Sequence, residues 1–274
     1  MLIAGKVTGR SGRLGRKPDW AIARDRARRD EGGETVWLFG LHAVRDALAN
    51  PARIRRRLIV TRNAADRLAE EIAASGMEPE VVDARRFTAP IDPQSVHQGA
   101  ALEAEPLDWG SVSERCAPRG DAPLVVLLDR VTDPHNVGAV LRSAEVFGAR
   151  AVIAPHRHSA PETGALAKTA SGALERQPYL RIPNLANAIG SLKEMGYAVV
   201  GLDGAAETLL DEAVAPFRDR PLALAMGAEG PGLRELTMKL CDRVARIPAA
   251  GGFGSLNVSN ATAVALYAAR RIGA

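Results

Sequence analysis

Cysteine, aromatic residues and long apolar segments are scarce in this sequence. Its 274 residues include two cysteines, Cys116 and Cys241, which are too few for a disulfide framework or a cysteine-rich zinc site. No apolar run approaches the roughly 20 residues of a transmembrane helix, and the amino terminus lacks the apolar block of a secretory signal. We therefore expect a cytoplasmic protein with neither a membrane partner nor a metal site.

Aromatic residues make up only 4% of the chain, so its core must be built from alanine, valine, leucine and isoleucine. The hydrophobic fraction of 46% and the charged fraction of 25% are typical of globular proteins. A chain of 274 residues has room for one large domain or two smaller ones.

The formal net charge of +4 is concentrated at the amino terminus. Residues 1–33 contain nine lysine and arginine residues against four acidic ones, whereas the remainder has 27 basic and 28 acidic residues. This segment is rich in glycine and arginine and has no hydrophobic periodicity, which predicts a disordered tail. Its cations fit either an arm that binds RNA phosphates or a solvated tail.

A small α/β domain is predicted for residues 34–105. Apolar strand patterns at residues 57–61, 80–82 and 100–104 alternate with helical patterns at residues 41–48 and 64–74. The domain also contains a basic cluster of four arginines, Arg53, Arg55, Arg56 and Arg57. Such a cluster fits a phosphate-binding surface and a solvated strand edge equally well.

A second, larger domain is predicted for residues 123–274. Residues 106–122 hold two prolines and two glycines without a sustained period, and Pro123 follows directly, which is typical of a linker. Beyond them, strands and helices alternate, and the strands are continuously apolar. That pattern predicts a parallel sheet covered on both faces, in which ligands bind beyond the carboxyl ends of the strands.

Three polar or glycine-rich segments follow strands of this predicted sheet. Residues 133–144 read DPHNVGAVLRSA, residues 226–233 read MGAEGPGL and residues 254–262 read GSLNVSNAT. Glycine lets a backbone approach a ligand closely, and Ser255 and Asn257 are good N-cap residues for the last helix. The glycine-rich segments match neither a dinucleotide-binding loop nor a Walker loop.

Taken together and in this order, the three segments resemble the three motifs of the SpoU/TrmH 2'-O-ribose methyltransferases of the SPOUT superfamily. Residues 39–44 and 97–99 are similar to the amino-terminal substrate-binding domain of the rRNA-type members. The resemblance implies a carboxyl-terminal SPOUT domain with a trefoil knot, S-adenosyl-L-methionine as the cofactor, and a homodimer. It also implies a guanosine of 23S rRNA as the substrate. A tRNA, another rRNA nucleotide, or an inactive RNA-binding assembly factor are the alternatives.

The resemblance further assigns roles to eight residues. Gly227, Ile247 and Leu256 are expected to surround the adenosine of the cofactor. Arg142 is expected to act on the ribose 2'-hydroxyl, with Asn136 in a positioning role beside it. Glu229, Ser255 and Asn257 are expected to orient the substrate and the loops.

Two physical points bear on Arg142. A helical wheel from Val137 to Phe147 places it opposite the apolar face and does not bring it next to Asn136. The pKa of an arginine exceeds about 12, so a guanidinium is a poor base unless it is desolvated among other cations. Stabilising a developing alkoxide while binding the neighbouring phosphate is at least as well supported as abstracting the proton.

Overall fold

The computed structural model of the protein describes residues 35–92, 94–120, 122–251 and 256–272. The predicted basic tail, residues 1–33, lies outside them. Within the described ranges, ten strands form two sheets, in the chain order β1 Val36–Phe39, β2 Arg55–Thr61, β3 Glu80–Val82, β4 Ala100–Ala104, β5 Leu124–Asp129, β6 Ala151–Pro155, β7 Tyr179–Ile182, β8 Ala198–Leu202, β9 Leu222–Gly227 and β10 Arg243–Ala245.

Ten α-helices are described between and after these strands. In chain order they are α1 Leu41–Ala49, α2 Arg62–Arg67, α3 Ala69–Ser75, α4 Val112–Cys116, α5 Pro134–Val146, α6 Gly164–Ala170, α7 Leu185–Glu194, α8 Leu210–Val214, α9 Glu235–Leu240 and α10 Val258–Ile272. Within the described ranges, none of these helices has both the length and the apolar character needed to cross a bilayer.

The small amino-terminal sheet has the strand order β1-β4-β2-β3. Strand β4 pairs antiparallel with β1 and β2, whereas β2 and β3 are parallel. The helix expected at residues 64–74 is two helices, α2 and α3, which meet at the buried Leu68. Thr61 caps α2 by accepting a hydrogen bond from the backbone of Ala64 at 3.3 Å.

The larger sheet is six-stranded and entirely parallel, with the order β10-β8-β9-β5-β6-β7. Alternate residues of β5 enter two apolar layers: Val126 and Leu128 lie in one, Val125 and Leu127 in the other. Both faces are therefore covered, as the continuous apolar strands predict. Helices α5, α8 and α10 pack together on one face, and α7 and α9 pack together on the other.

The expected linker contains regular structure. Helix α4 lies within residues 106–122 and begins with a capping box, in which Ser111 and Glu114 each bond the backbone of the other. Cys116, at its end, is fully buried against the larger sheet. Burial raises the pKa of its thiol to about 11, so Cys116 is a packing residue rather than a reactive thiolate.

The two sheets share one continuous apolar core. Leu38 and Leu58 of the small domain belong to the same buried cluster as Val126 and Leu166 of the large one. The contact runs between β1 and α6, and it is so close that a Cβ atom built on Gly164 would lie 2.3 Å from Cδ1 of Phe39. Only glycine fits at this position.

A buried ion cluster reinforces the same contact. The Arg53 guanidinium is fully enclosed and reaches Oε1 of Glu162 at 2.5 Å and Oε1 of Glu175 at 2.6 Å. Its Nη1 also donates to the carbonyl of Glu105 at 2.7 Å. Two buried carboxylates thus share one arginine, and burial raises the pKa of Glu162.

This arrangement settles the basic cluster considered above. Arg55 donates to the carbonyl of Leu48, Arg56 pairs with Glu105, and Arg57 pairs with Glu80. Together with Arg53, all four arginines are held by contacts inside the protein. Arg53 is fully buried, whereas the Arg56 and Arg57 side chains remain 50% and 46% exposed beside their partners.

Candidate active site

The three motif segments meet at the carboxyl edge of the parallel sheet. Strand β5 ends before the first segment, the second begins at the end of β9, and β10 leads towards the third. Because these strands are parallel, the loops that follow them lie at the same edge. The prediction that ligand-binding segments gather there agrees with this topology.

Asn136 lies in the first turn of α5, because the helix begins at Pro134 rather than at Val137 as expected. Asp133 caps this helix by accepting a hydrogen bond from the backbone of His135 at 3.0 Å. Pro134 at the first helical position needs no hydrogen-bond partner for its nitrogen. The cap and the proline fix the turn that presents Asn136, which is 8% exposed.

Asn136, Glu229 and Asn257 form a closed hydrogen-bonded triangle. Nδ2 of Asn257 donates to Oδ1 of Asn136 at 2.9 Å and to Oε1 of Glu229 at 2.5 Å. Nδ2 of Asn136 donates to the same Oε1 at 3.2 Å. The carboxylate only accepts hydrogen bonds, so it determines which way both amides face. Three of the five residues expected to act in catalysis are therefore brought together.

Asn257 also caps the start of α10. Its Oδ1 accepts hydrogen bonds from the backbone nitrogen of Ser259 at 2.9 Å and from the Ser259 hydroxyl at 2.5 Å. This is the N-cap role expected from the sequence. Ser255, the other expected cap and site residue, lies outside the described residues.

Arg142 stands apart from the triangle. It is exposed on α5, and six residues separate it from Asn136, or about 9 Å along a helix axis. Its neighbour Glu145 binds Arg176 instead, so the two do not pair. Among the described residues, the side chain of Arg142 has no hydrogen bond or ion pair. As the wheel indicates, Val137, Val140, Leu141 and Ala144 are fully buried on the opposite side.

A cavity of about 870 Å³ opens beside the triangle. Its lining includes Glu229 and Asn257 together with the three residues expected around the adenosine, namely Gly227, Ile247 and Leu256. Leu256 is 48% exposed at its wall. The volume lies within the range of about 300–1,000 Å³ that is usual for small-molecule sites.

Gly227 also allows the loop beside the cavity to fold back on itself. A Cβ atom on Gly227 would lie 2.1 Å from the carbonyl carbon of Gly232, because the loop returns to close a bridge between Ala228 and Gly232. Gly230 and Gly232 adopt positive φ angles of 84° and 68° that favour glycine. The glycines of the second motif thus shape the loop before any ligand is considered.

Asp129 anchors the far end of that loop and was not identified from the sequence. Its fully buried carboxylate accepts hydrogen bonds from Nε of Arg234 at 2.7 Å and from the Thr237 hydroxyl at 2.6 Å. The backbone nitrogen of Arg234 also donates to it, at 3.1 Å. An acidic residue ending an otherwise apolar strand is the signal that points to such an anchor.

A parallel α/β domain with a cavity at its carboxyl edge, joined to a small α/β domain, defines a two-domain protein with a small-molecule site. Family comparison identifies it further. Residues 123–267 match the model of the SpoU rRNA Methylase family, and residues 37–109 match that of RNA 2'-O ribose methyltransferase substrate binding. The chain belongs to the SpoU rRNA methylase family.

Individual relatives agree with this assignment. The chain is 40% identical to a 23S rRNA (guanosine-2'-O-)-methyltransferase RlmB of Ralstonia nicotianae over 85% of this chain and 94% of that protein. It is 37% identical to an uncharacterized tRNA/rRNA methyltransferase of Synechocystis, over 84% of this chain but 61% of that longer protein. An AdoMet-bound rRNA methyltransferase structure from Sinorhizobium meliloti superposes with a TM-score of 0.72 at 25% identity, covering 92% of this chain and 90% of that one.

Proposed function

We propose that the protein transfers a methyl group from S-adenosyl-L-methionine to the ribose 2'-hydroxyl of a guanosine in 23S rRNA. The observation that carries this proposal is the Asn136–Glu229–Asn257 triangle beside the cavity, in a chain that matches both family models over most of its length. A substrate in ribosomal RNA implies a cytoplasmic location. The reaction as proposed requires no metal ion.

The cavity suits such a cofactor. Gly204, Gly230 and Gly251 line it, and a Cβ atom on any of them would meet no atom within 4 Å, so the backbone there is open to a ligand. Gly227 and the Ile247 and Leu256 side chains would hold the adenosine by backbone hydrogen bonds and apolar contact. When bound, the cofactor supplies an activated methyl group.

The protein's own task is to bring the hydroxyl in line with that methyl group and to manage the hydroxyl proton. Holding two reactants in attack geometry contributes about 7–11 kcal/mol to lowering a barrier. The oriented amides of Asn136 and Asn257, together with Glu229 and Ser255, would hold the ribose and the loops. Arg142 would bind the adjacent phosphate and stabilise the developing alkoxide, or abstract the proton if it is desolvated.

The separation of Arg142 from the triangle points to a homodimer. Arg142 and Val146 lie one turn apart on the exposed side of α5, and Val146 is 72% exposed. Val264 and Tyr267 of the neighbouring α10 are also exposed, at 41% and 54%. A second copy covering this face would bury these apolar side chains and bring Arg142 towards the triangle of the other subunit.

We further infer that the carboxyl-terminal segment is threaded into a trefoil knot, as the family resemblance implies. Residues after β10 run beside the segment before α8, where Arg246 bridges Leu209. The chain then continues to α10 on the opposite face from α9.

Two measurements test the proposed reaction. Calorimetry on the purified chain should detect binding of S-adenosyl-L-methionine. When the protein and this cofactor are added to rRNA from cells lacking the gene, one 2'-O-methyl group should be restored at a guanosine of 23S rRNA. Asn257→Ala should abolish transfer, whereas Asn260→Ala, an exposed position on the same helix, should not. Transfer to tRNA alone, or RNA binding without transfer, would contradict the proposal.

A further inference from the structure

The arginines of the small domain divide into two groups. Arg53, Arg55, Arg56 and Arg57 are held by contacts inside the protein, as described above. A second group is exposed and, within the described part of the chain, makes no side-chain hydrogen bond or ion pair: Arg62, Arg67, Arg85 and Arg86. Because a cation without an internal partner is free to bind an external anion, the second group is the informative one.

Two members of this group, Arg62 and Arg67, line one concavity, and Arg85 and Arg86 follow its lining residue Ala84 in the chain. A depression of about 810 Å³ lies at the carboxyl ends of the parallel strands β2 and β3. Arg62, Asn63 and Arg67 line one side of it, and Ala84, the residue before Arg85, lines the other. We call this surface the arginine concavity and define it by its lining residues Arg62 and Arg67.

The arginine concavity keeps an excess of positive charge. Two acidic residues belong to the same elements, Asp66 on α2 and Asp83 before the 3-10 turn at Ala84–Arg86. Oδ1 of Asp83 is already bonded to the backbone nitrogen of Arg85 at 2.8 Å. The lining itself holds two arginines, Arg62 and Arg67, against one aspartate, Asp83.

An aromatic surface and an apolar side chain adjoin these charges. The ring of His97 stacks on Phe87 with centroids 4.0 Å apart and planes 16° apart. Nδ1 of His97 accepts a hydrogen bond from the backbone of Gly99 at 3.1 Å, and burial lowers the pKa of the ring. His97 is thus a neutral flat ring near pH 7, and Val81 beside it is 55% exposed.

The arginine concavity is connected to the active site along the domain contact. Gln98 lines the concavity and caps α1, where its Oε1 accepts from the backbone of Leu41 at 3.1 Å. A Cβ atom on the adjacent Gly40 would touch both Gln98 and Lys168 of α6, at 3.4 and 3.6 Å. The next residue, Thr169, bonds His135 at 3.0 Å, and His135 precedes Asn136 of the triangle.

We propose that the arginine concavity binds the sugar-phosphate backbone of a single-stranded or looped RNA segment, which continues past Lys168 to the methylation site. The inference rests on the proposed function and assigns its substrate-recognition surface. Unpaired arginines supply phosphate contacts, and the His97–Phe87 stack offers a flat surface for an unpaired base. The side chain of Lys168 has no hydrogen bond or ion pair among the described residues and provides a cation midway.

An acidic protein segment is the other ligand that these arginines could attract. RNA is favoured because charge and a stacking surface occur together, which suits a chain that carries phosphates and flat bases alternately. A site that binds acidic side chains would not need a stacking surface. The two ligands are separated by the competition experiment below.

The test is a double variant in the full-length chain, Arg62→Gln with Arg67→Gln. Its matched control is Arg56→Gln with Arg57→Gln, which removes the same charge from the same domain at arginines that are already paired. The test variant should weaken binding of a 23S rRNA fragment on the order of ten-fold. It should also reduce the slope of log Kd against log salt by about 0.7–0.9 for each lost phosphate contact. The control should leave both quantities near their wild-type values.

Steady-state kinetics and competition complete the test. The variant should raise KM for RNA while leaving kcat and S-adenosyl-L-methionine binding unchanged, and Lys168→Gln should raise KM in the same sense. Equal losses in test and control variants, no change in the test variant, or displacement of RNA by polyglutamate as readily as by a nonspecific RNA would overturn the inference. If wild-type protein methylates no RNA yet shows these binding differences, the proposed function fails and the RNA site stands.

Discussion

Asn257 is the residue on which the active-site geometry depends most. Its Oδ1 accepts from Ser259 at the start of α10, which leaves its Nδ2 to donate to Asn136 and Glu229. The helix cap thereby fixes the orientation of the amide that holds the site together. A residue of this kind links the stability of one helix to the geometry of three loops.

Arg142 provides the sharpest prediction at the residue scale. Because its side chain is exposed and makes no hydrogen bond or ion pair with other described residues, Arg142→Ala should leave the free energy of unfolding and cofactor binding unchanged. It should lower kcat by about 10²–10³, the usual effect of removing a preorganised electrostatic contact. Single-turnover methyl transfer at saturating RNA measures this, with Arg157→Ala, another exposed arginine, as the control.

Arg142→Lys distinguishes the two roles of the guanidinium. Lysine loses a proton more readily than arginine but cannot form two parallel hydrogen bonds to a phosphate. Recovery of activity with a shifted pH profile would identify proton abstraction, and inactivity equal to that of Arg142→Ala would identify charge stabilisation. Near wild-type kcat in Arg142→Ala would show that the residue has no part in the reaction.

The sequence leads to the individual site residues but not to all their contacts. Asn257 is recognisable as a cap from its place before an apolar helix, and Arg142 as a surface residue from the helical wheel. The bonds from Asn257 to Asn136 and Glu229 span 121 and 28 positions and depend on how three loops converge. Asp129 was missed for the same reason, since its partners Arg234 and Thr237 are more than 100 positions away.

At the scale of elements, Arg53 links the small domain to the large one. It precedes strand β2 and binds Glu162 and Glu175, which lie before and after α6. It is shared by Glu162 and Glu175, so its loss leaves two buried carboxylates without a counter-charge. We expect Arg53→Met to lower the free energy of unfolding by roughly 3–5 kcal/mol. Glu162→Gln, which leaves Arg53 paired with Glu175, should cost far less. Urea unfolding of both variants at pH 7 provides the comparison.

The pH dependence of Glu162→Gln gives a second measure of the same cluster. Burial raises the pKa of Glu162 in the folded state, so folded protein binds this proton more tightly than unfolded protein does. The associated stability is present below the unfolded pKa and is lost as pH rises through the folded pKa. Glutamine has no proton to lose, so the variant should gain stability relative to wild type as pH rises. A constant difference between pH 4 and pH 8 would argue against this.

Local pattern reading recovers most elements but not the contact between the domains. Strands β3 and β4 have the expected bounds, because turn or polar residues flank each apolar segment. The four clustered arginines gave an ambiguous signal because their partners are distant in sequence. Glu162 and Glu175 lie 109 and 122 positions from Arg53. Charge patterns along a chain do not reveal such pairings.

At the scale of the whole molecule, the proposed dimer face is open to direct test. Val146→Asp places a charge in the centre of the exposed apolar surface formed by α5 and α10. We expect it to convert dimers to monomers in sedimentation and to reduce methyl transfer, because Arg142 would lose the site of the second copy. Leu236→Asp on α9 is the control, since Leu236 is 57% exposed on the opposite layer. Dissociation by Leu236→Asp and not by Val146→Asp would place the interface elsewhere.

The order of the six parallel strands could not be read from the sequence, although their parallel arrangement could. Continuous apolar strands separated by helices imply a covered parallel sheet. The neighbours of β5 are β9 and β6, one of them almost 100 positions away in the chain. That choice depends on crossover packing of the whole domain, which no local pattern encodes.

The contact at Gly164 has a consequence for exchanging parts between relatives. In sequence, the small domain ends before residue 106, and a chimera would naturally be joined there. In packing, the boundary lies instead between β1 and α6, where Phe39 occupies the space that a side chain at residue 164 would need. A transplanted substrate domain must therefore bring a β1 that matches Gly164, or travel together with α6. The segment that can be exchanged is therefore set by the packing contact between β1 and α6 rather than by residues 106–122 between the two domains.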